Sequence, residues 1–383
     1  MNFDSPEFLV FLPAVVLAYA LLAGRLRSRH ALLLAASYLF YMSWSWRYAG
    51  LIAFSTLLDY AIALRLGREE RTRSRHLLLL ASLVVNLGLL GLFKYFNFFA
   101  DSADGLVHWL GLDWELPHHQ LLLPVGISFY TFQTLSYTID VYWRRLEPER
   151  DLVRFALFVS FFPQLVAGPI VRAADFLPQL RADRDATAER VRWGLARIFR
   201  GLAKKVLVAD LLASLAVDRV FAEPEAFGSL GLALALYAYA FQIYADFSGY
   251  SDIAIGAAAL LGFRIPENFD RPYRARNVRE FWTRWHISLS TWLRDYLYIP
   301  LGGNRGDKLR TARNLLLTMG LGGLWHGAAW NFVLWGVYHG VLLVLARGIA
   351  RGGAPASAAR VWFERAVCFH LVLFGWLLFR TTD

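Results

Sequence analysis

A histidine set among glycines and tryptophans is the strongest candidate for chemistry. His326 lies in the segment GGLWHGAAWN at residues 322–331, where glycines let the chain turn and let backbones approach closely. Trp325 and Trp330 are expected to wall a narrow cavity around this imidazole. Desolvation there would keep the ring neutral, and a neutral imidazole can act as a general base. The alternatives for His326 are a hydrogen bond between helices and an axial haem ligand.

A second histidine, His286, lies in a segment with helical spacing. On a helix of about 3.6 residues per turn, Trp285, Ser288, Leu289 and Trp292 share one stripe. This pattern predicts an amphipathic helix at the cytoplasmic interface of a membrane. The structural alternative is an aromatic anchor without a part in chemistry.

A polar cluster interrupts an apolar region at residues 242–252, QIYADFSGYSD. Tyr244, Asp246 and Ser248 belong to it. Ionisable side chains at bilayer depth are costly, so the cluster predicts a polar cavity rather than contact with lipid. The alternative is that its Ser and Asp side chains cap a half-helix that starts here.

The composition requires membrane helices to position these residues. Hydrophobic residues make up 57% of the 383 residues and charged residues only 18%, whereas ordinary soluble chains have about 25% charged residues. The net charge is +10, but the Arg residues cluster at the ends of apolar runs, as in cytoplasmic membrane loops, and do not indicate nucleic acid. The single cysteine, Cys368, excludes a disulfide framework and a Cys-based metal cluster. No metal site is predicted.

Apolar runs predict the membrane spans. They cover residues 8–23, 31–46, 51–66, 77–99, 121–143, 152–170, 203–220, 229–245, 328–346 and 361–379. A spanning helix needs about 20 apolar residues, so the runs 253–263 and 315–325 predict half-helices or re-entrant segments. We predict a single membrane domain over residues 1–383.

Charged residues beside these runs predict the orientation. The Arg-rich loops after the first and third spans are expected in the cytoplasm, and the acidic 100–120 loop outside. Basic residues flank 152–170 and 313–347 at both ends, which predicts two hairpins that enter and leave on the same side. The second hairpin would place His326 deep in the hydrocarbon layer.

Four segments, in order, resemble the membrane-bound O-acyltransferase family. They are FFPQLVAGPI at 161–170, YADFSGYSDIAIG at 244–256, the stretch from FWTRWH to YIPLGGNR at 281–305, and LWHGAAW at 324–330. Within the family they are similar to the bacterial alginate O-acetylation branch, related to the D-alanyl transferases that modify teichoic acid. The resemblance implies an all-α polytopic membrane fold, a ring of tilted helices with re-entrant or broken segments around a central tunnel.

The resemblance also implies an activity. A membrane O-acyltransferase of this kind moves an acyl group, here acetyl, from a cytoplasmic thioester to hydroxyls of an extracytoplasmic polysaccharide such as alginate. Transfer is expected either directly or through a periplasmic acetyltransferase partner. The thioester, acetyl-CoA or an acyl carrier, is a co-substrate, and no bound cofactor is expected. The implied location is the bacterial inner membrane, with several passes.

The family's near-invariant histidine corresponds to His326, and its second histidine to His286. His326 is expected to take the hydroxyl proton or, transiently, the acyl group. His286 is expected to orient the thioester or protonate the leaving thiolate, and Asn331 or a glycine N–H to donate to the oxyanion. Residues expected to bind substrate or line the tunnel are Asn331, Trp325, Asp246, Tyr244 and Ser248.

Two further expectations remain open at this point. Family members commonly continue through more helices, so the chain is expected to be a short member or to lack C-terminal helices. The alternative class is a transporter or flippase with a polar site at mid-membrane, and a haem-binding membrane protein is a third.

Overall fold

The computed structural model describes residues 1–112, 114, 116–118, 122–166, 168–348 and 357–381. Within these ranges the regular structure is helical and contains no strand, so the predicted all-α fold is confirmed. Two compact units are present: one comprises Met1–Leu195 and Ala257–Ile265, the other Ala196–Gly256 and Pro266–Asp383. The single membrane domain stays a prediction.

Seventeen α-helices occur in the described residues. They are α1 (Pro6–Leu21), α2 (Leu26–Met42), α3 (Ala49–Arg68), α4 (Thr72–Leu90), α5 (Phe96–Trp109), α6 (Ile127–Tyr142), α7 (Leu152–Ser160), α8 (Phe162–Leu165), α9 (Ala173–Phe176), α10 (Ala188–Leu202), α11 (Asp218–Ala222), α12 (Ser229–Leu260), α13 (Val278–Trp282), α14 (Ile287–Leu293), α15 (Lys308–His326), α16 (Trp330–Gly348) and α17 (Ala358–Arg380). Wider π-helical turns occupy Gly91–Tyr95, Ala203–Asp210, Ala213–Val217 and Arg294–Tyr298, and 3₁₀ turns occupy Trp46–Tyr48, Leu177–Arg181, Pro224–Ala226 and Pro272–Arg274.

Several helical stretches are long and apolar enough to cross a membrane. In the described part of the chain there are four, Trp46–Arg68, Thr72–Trp109, Ser229–Leu260 and Ala358–Arg380. They contain the predicted spans 51–66, 77–99, 229–245 and 361–379. The start of the predicted span 121–143 lies outside the described residues, and α6 begins at Ile127.

The predicted run 152–170 is broken, as its prolines and glycine indicated. The Asp151 side chain caps α7 by accepting hydrogen bonds from the N–H groups of Val153 and Arg154, at 2.9 and 3.1 Å. The helix ends at Ser160, and α8 that follows is only four residues long. That both ends of this run lie on one side of the membrane stays a prediction.

The predicted interruption near residue 250 is wrong. α12 continues through the polar cluster for 32 residues, about 48 Å at 1.5 Å per residue. The run 253–263 is therefore not a half-helix, and Ser and Asp side chains do not cap one. The reason is that these side chains have partners on other segments: Asp246 pairs with Lys205 and Asp252 with Lys204, each at 2.8 Å.

Helices α15 and α16 form an antiparallel hairpin in the second unit. The helices approach so closely at Gly336 that an added Cβ would lie 2.2 Å from the Met319 carbonyl oxygen. At Gly323 a Cβ would lie 2.1 Å from the Phe332 carbonyl oxygen. Only glycine permits such backbone contact. The run 315–325, predicted as a separate short piece, is thus part of the 19-residue α15, and His326 lies at the tip of the hairpin.

Candidate active site

His326 ends α15, and an aromatic cage surrounds it. Gly327 is extended and stops the helix, so the imidazole lies at the turn between two helices. The rings of Trp325, Trp335 and Phe379 lie edge-to-face against it, with centroids 5.1, 5.2 and 5.3 Å away. Sequence reasoning found Trp325 but missed Trp335 and Phe379, because they come from later turns of α16 and α17.

Trp330 is more exposed than Trp335 of this cage. Its side chain is 60% exposed, whereas that of Trp335 is 2% exposed. The difference follows from helical periodicity, since α16 starts at Trp330 and turns its buried face toward Trp335 and His339. That Trp330 walls a cavity stays a prediction.

His286 stands between two short helices. Its backbone is left-handed, with φ +42°, a conformation that costs free energy for a residue with a Cβ and persists only where its surroundings require it. The single amphipathic helix predicted here is wrong, because this residue separates α13 from α14. Trp285 and Trp292 are buried at 3% and 7% exposure, so the stripe faces protein.

The structure brings the two predicted histidines together. The ring centroids of His286 and His326 are 6.4 Å apart, and Trp325 contacts both, at 6.0 Å from the first and 5.1 Å from the second. Phe247 of α12 packs edge-to-face against His286, with ring centroids 4.6 Å apart. His286 is 1% exposed, and its Nε2 has no hydrogen-bond partner among the described residues.

Burial governs the charge of His286. Desolvation lowers its pKa well below the usual range, and repulsion from His326 lowers it further. The His286 ring is therefore neutral near neutral pH. A neutral imidazole has one nitrogen lone pair, which can accept a proton or a hydrogen bond.

Asn268 holds His286 from behind, and sequence reasoning missed it. Its Oδ1 lies 3.1 Å from His286 Nδ1, and it accepts hydrogen bonds from the N–H and Oγ of Ser288 at 3.2 and 2.9 Å. Its Nδ2 donates to Ser251 Oγ at 3.2 Å, and its backbone oxygen accepts from the N–H of Ile287 at 2.9 Å. Asn268 lies in an irregular stretch between α12 and α13, where no periodicity or motif marks it.

The side chains of the polar cluster of α12 lie in two different environments. Tyr244 packs against Phe269 and Trp285 with ring-centroid separations of 5.8 and 6.2 Å. Trp285 directly precedes His286 in the chain. Ser248, one turn after Tyr244, is buried. Asp246 pairs with Lys205 instead. The tunnel-lining roles of Tyr244, Asp246 and Ser248 stay predictions.

A buried carboxylate of the same cluster is neutralised by cations. Asp252 lies 2.6 Å from Arg197 Nε, 3.1 Å from Arg200 Nε and 2.8 Å from Lys204 Nζ. Arg197 also pairs with Glu267, next to Asn268 in the chain. The charge near the site is thus matched by ion pairs and does not face His286.

Asn331 lies near His326 in sequence but bonds elsewhere. Its Nδ2 donates to the backbone oxygens of Thr381 and Phe379, at 2.8 and 3.4 Å, and so fastens the end of α17 to the start of α16. Its Oδ1 is buried without a hydrogen-bond partner among the described residues. The predicted donation to an oxyanion would require this amide to leave Thr381, and it stays a prediction.

Comparison with known proteins shows which family this chain resembles. Residues 148–378 match the profile of the MBOAT, membrane-bound O-acyltransferase family. The chain is 46% identical to the probable alginate O-acetylase AlgI of Azotobacter vinelandii, over all of this chain and 76% of the relative. It is 35% identical to the peptidoglycan O-acetyltransferase of Helicobacter pylori, over all of this chain and 77% of the relative.

A more distant relative belongs to another branch. The teichoic acid D-alanyltransferase of Bacillus subtilis is 30% identical over 69% of this chain and 70% of its own length. Both histidines of the pair lie inside the range matched by the family profile. With its several apolar helices, the chain is a multi-pass membrane protein that belongs to the membrane-bound O-acyltransferase family.

Proposed function

We propose that this O-acyltransferase moves acetyl groups from a cytoplasmic thioester to the hydroxyls of an extracytoplasmic polysaccharide such as alginate, in the bacterial inner membrane. The pair of buried His286 and half-buried His326, with ring centroids 6.4 Å apart, carries the proposal. Relatives named as an alginate O-acetylase and a peptidoglycan O-acetyltransferase, similar over the whole chain, support acetyl as the group and a glycan as the acceptor.

In the proposed reaction His326 is the general base. The acceptor hydroxyl gives its proton to the imidazole while its oxygen bonds to the carbonyl carbon of the thioester. The carbon–sulfur bond then breaks, and the sulfur leaves with the electron pair as a thiolate that takes up a proton. His286, whose ring centroid is 6.4 Å from that of His326, contacts the thioester and orients it.

The aromatic cage gives this reaction a dry environment. Trp325, Trp335 and Phe379 surround His326 with apolar ring surface. Excluding water strengthens electrostatic interactions in the site and limits hydrolysis of the reactive thioester. A thioester in contact with these rings would therefore react with a sugar hydroxyl in preference to water.

Two details of the proposal concern partners. The donor is acetyl-CoA or an acyl carrier, and the acetyl group reaches the glycan directly or through a periplasmic acetyltransferase. Proteoliposomes of the purified protein, with alginate enclosed and labelled acetyl-CoA added outside, distinguish these routes. Label on the enclosed alginate without other proteins supports direct transfer, whereas label that appears only when a periplasmic extract is enclosed with the alginate supports the relay.

Replacement of His326 tests the proposed function. His326→Ala should lower polysaccharide acetylation by at least about 10²-fold, because the base that takes the hydroxyl proton is lost. The measurement is the acetyl content of the glycan made by cells whose own copy is replaced by the variant. His370→Ala is the matched control, since His370 is exposed on α17 and bonds to Tyr237. Wild-type acetylation by a normally expressed His326→Ala protein would refute the proposal.

A further inference from the structure

The orientation of the Asn268 side-chain amide follows from one backbone donor. The Ser288 N–H can only donate, and it lies 3.2 Å from one atom of that amide. The atom must therefore be the oxygen, Oδ1, because the amide nitrogen is itself a donor. The other end of the amide, Nδ2, then donates to Ser251 Oγ at 3.2 Å. Both ends of the amide are satisfied only in this orientation.

The same oxygen determines the position of the proton on His286. His286 Nδ1 lies 3.1 Å from Asn268 Oδ1. An oxygen that only accepts requires a donor opposite, so Nδ1 carries the hydrogen. In the neutral ring Nε2 then holds the lone pair. This is the nitrogen that has no hydrogen-bond partner among the described residues.

We propose that Asn268 is a positioning residue that holds His286 as the Nδ1–H tautomer, so that Nε2 accepts a hydrogen bond from an O–H or N–H group of the substrate. This inference rests on the proposed function, in which His286 contacts the reacting groups. It also gives Ser251 a role, since this residue of the polar cluster of α12 fixes the far end of the amide.

The proposal separates the two alternatives for His286. A ring that enters the reaction with a lone pair on Nε2 is an acceptor, so it does not supply the proton for the leaving thiolate. The proton that His326 takes from the acceptor hydroxyl is then the one that passes to the sulfur. One proton leaves oxygen and one reaches sulfur, so the transfer balances without an outside acid.

The charged groups near His286 are paired with each other, and the group bonded to its Nδ1 is the neutral amide of Asn268. The titratable group that faces it is His326 of α15, at 6.4 Å between ring centroids. Asp252, next to Ser251, and Glu267, next to Asn268, are both paired with Arg197. A neutral amide behind Nδ1 orients the ring without favouring imidazolium, which a carboxylate in the same position would do.

Replacement of Asn268 by aspartate tests this through pH dependence. Asn268→Asp keeps the size of the side chain and the acceptor oxygen but adds a negative charge beside Nδ1. This charge favours imidazolium and raises the pKa of His286, by about 1 unit or more for a close opposite charge. Protonated Nε2 no longer accepts, so the acid limb of kcat/KM, to which His326 also contributes as the base, should move to higher pH. The assay uses full-length protein in lipid nanodiscs with labelled acetyl-CoA and alginate.

Two further variants separate positioning from folding. Asn268→Ala should lower kcat by about 10²-fold, as expected when a reacting group loses its orientation, with KM little changed. Asn314→Asp is the matched control, because Asn314 is another buried asparagine of the same unit, bonded to the Gly303 carbonyl. It should leave the pH profile in place. If the Asn268→Asp protein is folded and the acid limb of its kcat/KM profile lies at the wild-type pH, the proposal is refuted.

A measurement on the unaltered protein is independent of activity. Protonated and unprotonated ring nitrogens of histidine differ in ¹⁵N chemical shift, so ¹⁵N-histidine-labelled protein reports the tautomer, and His286→Gln assigns the signal. A neutral Nδ1–H ring is expected, and an Nε2–H ring refutes the inference. Because no substrate is involved, this result stands apart from the His326→Ala test, whose failure would refute the proposed function alone.

Discussion

At the level of single residues, the candidate site contains two imidazoles in different surroundings. His326 lies half-buried at a hairpin tip among apolar rings, and His286 is fully buried with a polar partner behind it. The glycines and tryptophans around His326 made it predictable, and the resemblance added His286. Asn268 was not predictable, because a buried asparagine in an irregular stretch looks like any turn residue until its neighbours are known.

Removal of His286 should affect turnover more than binding. His286→Ala is expected to lower kcat by about 10²-fold and to change KM for the thioester little, because the ring orients reacting groups and contributes little to overall affinity. Steady-state kinetics in nanodiscs with acetyl-CoA measure both. Leu334→Ala, at an exposed position of α16, is the control. Unchanged kinetics in His286→Ala would leave this residue with a structural role only.

At the level of elements, the hairpin of α15 and α16 positions His326 through backbone contact. The predicted spans mostly coincide with helices, because apolar runs are read directly from composition. The continuity of α12 could not be predicted, since the partners of Asp246 and Asp252 come from α10 and the turn that follows it. The local sequence shows that polar residues interrupt an apolar run, but it does not show which basic side chains from other segments neutralise the carboxylates.

The hairpin should not tolerate a side chain at its closest contact. Gly336→Ala puts a Cβ 2.2 Å from the Met319 carbonyl oxygen, so the helices must separate, at a cost of about 1–3 kcal/mol or more. We expect a lower thermal unfolding midpoint and lower activity, because His326 at the tip moves with α15. Fluorescence-detected unfolding in detergent measures the first effect.

A glycine in open space provides the comparison for that variant. A Cβ on Gly88 of α4 would meet no atom within 4 Å, so Gly88→Ala should leave the midpoint unchanged or raise it slightly, since alanine favours helix. Equal midpoints for Gly336→Ala and Gly88→Ala would contradict the contact between α15 and α16.

At the level of the whole molecule, composition and charge predicted a multi-pass membrane protein, and family membership makes it an enzyme rather than a transporter. The fold class followed from composition because a chain so poor in charge cannot cover a water-exposed surface. Which residues meet at the site did not follow, because that depends on pairings between segments far apart in sequence.

The orientation of the chain can be tested with single cysteines. In a Cys368→Ala background, Asp101→Cys in α5 should react with a membrane-impermeant maleimide in intact cells, because the acidic segment 100–120 is predicted outside. Arg27→Cys should react only after the membrane is opened, because Arg-rich loops remain in the cytoplasm. Both positions are exposed. Labelling of Arg27→Cys in intact cells would show that the predicted orientation is wrong.

The burial of the only cysteine bears on how the acyl group is handled. Cys368 is 3% exposed within α17, among large aromatic side chains. A donor thioester that meets residues 1–383 in the folded state therefore finds no accessible thiol, and transthioesterification cannot divert its acyl group onto them. Any acyl group that the folded chain carries during turnover must then be bound to nitrogen or oxygen. Hydroxylamine separates these cases, because at neutral pH it cleaves an acyl-imidazole, at alkaline pH it also cleaves an ester of a hydroxyl group, and it leaves an amide intact.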